Sequence, residues 1–186
     1  MHKKIGVVLT VAVLLFVGLM APQTTFAQEQ EPVKALMIPA GSLTPGFLNS
    51  NTGGNIASAV YDYLFRINAE GDTVPSLAKS YEISDDSKTW TIEIHEGVTF
   101  HDGSKLTAKD VVYTFERLID EDVGTALLGT YGSLIDSIEA LDDHTVRFNL
   151  TRPDAGFDKK LTDYNAAVLS SDYNYQELGD TEPMGS

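Results

Sequence analysis

The chain contains no cysteine. That absence removes disulfides, thiolate metal ligands, a cysteine nucleophile and a lipid-modified cysteine anchor together. Positive charge is scarce as well: 13 Lys and Arg stand against 27 Asp and Glu, a formal net charge of −14. Such a surface repels a phosphate backbone, which excludes nucleic acid as a partner. Only four histidines and one tryptophan occur in 186 residues. What remains is ordinary for a folded protein of one domain, with 42% hydrophobic and 22% charged residues.

One long apolar run stands at the amino end. "MHKK" is a short basic start, "IGVVLTVAVLLFVGLM" an uninterrupted apolar stretch, and "APQTTFA" a polar tail ending at Ala27. This pattern predicts a secretory leader over residues 1–27, cleaved so that the mature chain starts at Gln28. The apolar run is short for an uncleaved membrane anchor, which must cross roughly 30 Å of hydrocarbon. Loss of Lys3 and Lys4 with the leader takes the charge from −14 two units lower. With no cysteine to lipidate, the mature protein is expected to be free in the periplasm or outside the cell.

After a polar tether, "VKALMI" has the make-up of a buried strand stopped by Pro39. "PAGSLTPGFLNSNTGG" then reads as an irregular loop whose uncommitted backbone groups suit ligand contact, or a plain surface connection. Asn55 is placed to cap a helix "IASAVYDYLF", with Ile56, Val60, Tyr63 and Leu64 at helical spacing. "SYEIS" and "TWTIEIHE" alternate on either side of Asp85-Asp86-Ser87-Lys88, which predicts a hairpin with Trp90, Ile92 and Ile94 on one side. Thr107 with Asp110 has the form of a capping box opening an amphipathic helix that buries Val111, Phe115 and Leu118. A second hairpin, "SIEALDDHTVRFNL", turns at Asp142-Asp143. A turn with a short helix follows in "RPDAGFDKKLTDYNAAVLS", and "DYNYQELGDTEPMGS" reads as loop.

The run "PSLAKSYEISDDSKTWTIEIHEGVTFHDGSKLTAKDVVYTFERL", followed by "SIEALDDHTVRFNLTRPDAGF", resembles the signature region of the extracellular solute-binding proteins of ABC transporters, family 5, the oligopeptide, dipeptide and nickel-binding group. The resemblance implies a mixed α/β (α+β) fold: part of the first lobe of a two-lobed periplasmic binding protein (type II, cluster C-like), the second lobe missing. Residues 28–186 would form the incomplete first lobe. The family pattern continues past "EPMGS", so the chain is expected to be a fragment. In such proteins solute bound between the lobes favours the closed form, which docks on permease subunits. The implied partners are a peptide or other small solute and an ABC permease, with the membrane reached only through that permease. No cofactor is implied.

The resemblance implies that Phe100, His101, Asp102 and Gly103 form a structural corner leading to the helix headed by Thr107 and Asp110. It places Ser42, Leu43, Thr44 and Asn51 on a cleft-facing loop, as candidate ligand contacts. Where many relatives have Leu-Asp-Pro, this loop has Leu43-Thr44-Pro45. Tyr131, in "GTYGS", is a further candidate if it is an exposed aromatic wall; the alternative is a packed core tyrosine. A hydrolase built from His101, Asp102 and Ser104 is disfavoured, because residues so close in sequence do not readily converge as base, acid and nucleophile. A metal site on His95, His101 and His144 fits no familiar ligand spacing. The chain is therefore expected to be no enzyme, and the competing function is a stand-alone exported lobe acting through protein contacts.

Overall fold

The structure, a computed structural model, describes residues 43–173, 175 and 184–186. The leader, the strand expected in "VKALMI" and Ser42 lie outside the described residues.

Helix α1 spans Asn51–Val60 and starts earlier than its sequence suggests. Ser50, not Asn55, is the cap, its hydroxyl accepting from the Gly53 N–H at 3.1 Å. Gly53 and Gly54 are thus helical, and a side chain at Gly54 would crowd the Tyr164 ring, 3.1 Å from an added Cβ. The helix also stops early, at an extended Tyr61. Tyr63 and Leu64 leave the helix and are buried all the same. Strands β1 (Phe65–Ile67) and β2 (Thr73–Pro75) then form a small antiparallel ribbon that the sequence reading did not anticipate.

Both expected hairpins form, and they join into one sheet. Strands β3 (Ala78–Ile83) and β4 (Thr89–Ile94) make the first, β5 (Ile135–Ala140) and β6 (Thr145–Leu150) the second. The order is β3-β4-β6-β5, all antiparallel, with β4 and β6 central. In β4, Trp90, Ile92 and Ile94 point into the core while the residues between them stay partly exposed. β6 does the same with Val146, Phe148 and Leu150. Alternation on the two central strands therefore gives the sheet one dry face.

Helix α2 (Ala108–Ile119) covers that face through Val111, Phe115 and Leu118, each 2% exposed or less. Its start is the expected capping box: the Asp110 carboxylate accepts from the Thr107 N–H at 2.8 Å and the Thr107 hydroxyl at 3.0 Å. Phe115 meets Phe148 edge-on at 5.1 Å and Tyr131 at 5.6 Å; Phe157 completes the cluster against Phe148 and Trp90. Each such pair adds about 0.5–1.5 kcal/mol beyond the area it buries. Tyr131 ends the short helix α3 (Leu128–Tyr131), and Phe157 opens α4 (Phe157–Lys160). A single 3-10 turn, Tyr164–Ala166, follows α4.

Candidate functional site

The Pro- and Gly-rich loop 43–50 is an organised element. Phe47 N–H donates to the Thr44 carbonyl at 3.1 Å, closing a turn in which Gly46 takes a φ of 91° that favours glycine. Asn165 grips this turn from the far end of the chain. Its Oδ1 accepts from the Gly46 and Leu48 N–H groups at 3.1 and 2.9 Å, and its Nδ2 donates to the Leu48 carbonyl at 3.2 Å. A second fastening comes from Ala126, whose N–H donates to the Gly46 carbonyl at 2.7 Å. The loop is thereby fixed on both flanks, with Thr44, Pro45, Gly46 and Leu48 turned inward and Asn49 and Asn51 exposed.

Of the expected contact residues, Leu43 is half-buried at the described edge of the loop and Asn51 is exposed on the first turn of α1. Thr44 is 5% exposed. Tyr131 requires a correction: it is 0% exposed and its hydroxyl donates to the Lys160 carbonyl at 2.6 Å, so it is a packed core tyrosine and not an exposed wall. Burial pushes its phenol far above the usual range. Asn165 is the residue sequence reasoning missed. No local pattern betrays it, because its partners are 119 and 117 positions away.

The His-Asp-Gly corner is a bracket. Asp102 Oδ1 accepts from both the N–H and the hydroxyl of Ser104, at 2.8 and 2.6 Å, which holds its carboxyl below the usual value. Gly103 takes a φ of 85° at the turn. His101 faces the other way. Its N–H donates to the Gly185 carbonyl at 2.9 Å, and its Nδ1 accepts from the Gly185 N–H at 3.3 Å. Tyr175 adds a bond to the Met184 carbonyl at 2.9 Å. Ser104 thus pairs with Asp102 while His101 pairs with Gly185, which is not a nucleophile–base arrangement. Among the described residues, no group of three His, Asp or Glu side chains is arranged to hold a metal ion.

Asp110 joins the bracket to the rest. Besides capping α2, its Oδ1 accepts from the N–H and hydroxyl of Ser171, both at 2.9 Å. A cavity of about 310 Å3 opens beside Tyr63, Arg66 and Tyr164, below α1. Burial, opposed by a hydrogen bond with Ser58, pushes the Tyr63 phenol up to about 12. Arg66 lies 5.8 Å over the Tyr63 ring and is ion-paired with Asp62, so the cavity has an aromatic wall and a neutralised rim.

The family model described as bacterial extracellular solute-binding proteins, family 5, middle region, matches residues 72–186. The chain belongs to this family. The family-5 chain is 34% identical over 160 residues to the glutathione-binding protein GsiB of Pectobacterium atrosepticum, covering 82% of the chain and 31% of that protein. It superposes on the Helicobacter pylori periplasmic binding protein DppA, solved with the peptide STSA, with a TM-score of 0.71 and 28% identity, covering 80% of the chain and 34% of DppA. The binding protein AgaA of A. tumefaciens R10, solved with agropinic acid, gives 0.73 and 25% over 80% of the chain and 30% of AgaA. The chain therefore spans about a third of the length of these relatives, and its mixed α/β fold corresponds to part of a periplasmic binding protein.

Proposed function

We propose that the chain is part of the solute-binding component of an ABC importer, exported through its cleaved leader to the periplasm, and that it carries a peptide or a related small solute. The observation that carries this reading is the similarity, over four fifths of the chain, to proteins named or solved with glutathione and a short peptide. The loop supports it physically. A turn fastened by Asn165 and Ala126 costs little further ordering when a solute arrives, which is the advantage of preorganisation. Leu43, Asn51 and the neighbouring Asn49 are the groups it offers, a short apolar contact beside two amides that both donate and accept. The His101 corner serves as scaffold, and the protein works by binding and docking on permease subunits, without catalysis.

Calorimetric titration of the full-length protein with glutathione, Ala-Ala and a tripeptide tests the reading. Saturable binding of one of them, with the peptide recovered intact, is expected. Turnover of the peptide would overturn it, as would a protein that binds none of the three yet captures a partner protein through this lobe.

A further inference from the structure

Arg117 is the exception among the arginines. Arg66 and Arg147 are ion-paired with Asp62 and Glu139, and Arg152 donates to the Ser133 carbonyl. Arg117 is 9% exposed, and among the described residues no hydrogen bond or ion pair reaches its guanidinium. Its Nε is fully buried without an acceptor. Its guanidinium carbon lies 5.4 Å from the centre of the Phe47 ring. The carbonyl end of α2, where Arg117 occupies the last turn, offsets part of the cost. A buried N–H without an acceptor is otherwise costly, while the rest of the guanidinium faces the cavity described next.

The same side chain lines a cavity of about 320 Å3 with Tyr113, Glu116, Asp120 and Val123. Its charges are of both signs. Glu116 and Asp120 are exposed and one helical turn apart, on the rim beside the buried cation. The Asp120 Oδ1 is engaged by the Asp122 N–H at 2.8 Å, which fixes that carboxylate at the helix end. A simple anion would satisfy Arg117 but meet two carboxylates; a simple cation would satisfy the rim and leave Arg117 as it is. A small molecule carrying both charges satisfies all three groups.

We propose that the cavity at the end of α2, lined by Tyr113, Glu116, Arg117, Asp120 and Val123, binds a small zwitterion of the α-amino acid class. The carboxylate sits on Arg117 in the bidentate geometry that a guanidinium favours. The ammonium faces Glu116 and Asp120, and a short side chain rests on Val123 and the Tyr113 ring. The volume suits such a ligand and is at the lower end for larger ones. The site does not rest on the importer reading, since it stands on α2 and the residues that follow it.

The test is a nitrogen–proton NMR titration of the full chain, following the Arg117 Nε–H resonance with L-alanine, sodium acetate and methylammonium chloride. L-alanine is expected to shift that resonance saturably, at least 5-fold more tightly than acetate. Glu116→Gln with Asp120→Asn, both on the surface and harmless to folding, is expected to weaken L-alanine at least 3-fold and leave acetate equal or tighter. In Arg117→Gln, followed through the backbone N–H resonances of Glu116 and Asp120, the response to L-alanine should be lost, and the double variant keeps the idea testable if Arg117→Gln does not fold. Acetate acting as well as L-alanine would overturn the zwitterion assignment. No shift with any of the three would overturn the site, whatever peptide the protein carries.

Discussion

Asn165 makes three hydrogen bonds to loop 43–50 from a position 4% exposed, so its loss leaves two N–H groups and one carbonyl unpaired in the interior. Orphaned buried groups cost about 1–3 kcal/mol each, partly recovered where water enters. Asn165→Ala is therefore expected to lower stability by about 2–4 kcal/mol in urea unfolding. It should also raise amide exchange at Gly46 and Leu48 before any other region; unchanged exchange there would show that Asn165 does not hold the loop. The loop's composition was legible in the sequence, and its fastening was not, because pattern reading works within a window and Asn165 lies far outside it. Tyr131 teaches the converse: its loop-like surroundings left an exposed wall and a packed core residue equally open, and its placement is decided by Phe115 and Phe157, on other elements.

The elements that could be read in advance are those whose cause is local. Thr107 and Asp110 are three residues apart, and the alternation of β4 and β6 is complete within six residues each. Helix α1 was misplaced because two successive glycines argue for a loop. The structure keeps Gly54 helical where the Tyr164 ring packs against it, a contact across the fold. The hairpin turns were legible for the same local reason as the capping box, and they carry a pH signature. The Ser84 hydroxyl, then the Lys88 N–H, hold Asp86 below its ordinary 3.8. The His144 N–H, aided by Thr145, does the same for Asp142. Folding therefore makes both carboxyls harder to protonate. The stabilisation is complete above 3.8 and drains away as the pH falls through the lower folded values. The urea midpoint is expected to decline below about pH 4, and Asp86→Asn with Asp142→Asn should flatten that decline. An equally steep decline in the double variant would assign the acid response to other groups.

At the scale of the whole molecule, the sheet is asymmetric. Its central strands are dry on one face, but β3 at the edge leaves Tyr81 and Ile83 at 42% and 38% exposure, and Ile67 of the small ribbon is at 53%. An edge strand with apolar side chains is a template for pairing with another chain. Ile67→Lys with Ile83→Lys is expected to reduce self-association in light scattering at high protein concentration, with little change in the urea midpoint. Equal association in the variant would place the sticky surface elsewhere. That two hairpins form was readable from the sequence; that β4 pairs with β6 was not, since strands of matching pattern do not say which neighbour they choose.

The clasp between Asn165 and the Gly46 turn also sets an order of events. A chain that emerges amino end first presents loop 43–50 early and supplies Asn165 only 117 residues after Leu48. At synthesis rates of about 5–20 residues per second, that interval is on the order of 6–25 s. Throughout it the turn has none of its long-range fastening, while the first hairpin and α2 already have their local signals. The segment with which this protein is proposed to meet its solute thus receives its fastening from a residue that the chain supplies only after both hairpins have been made.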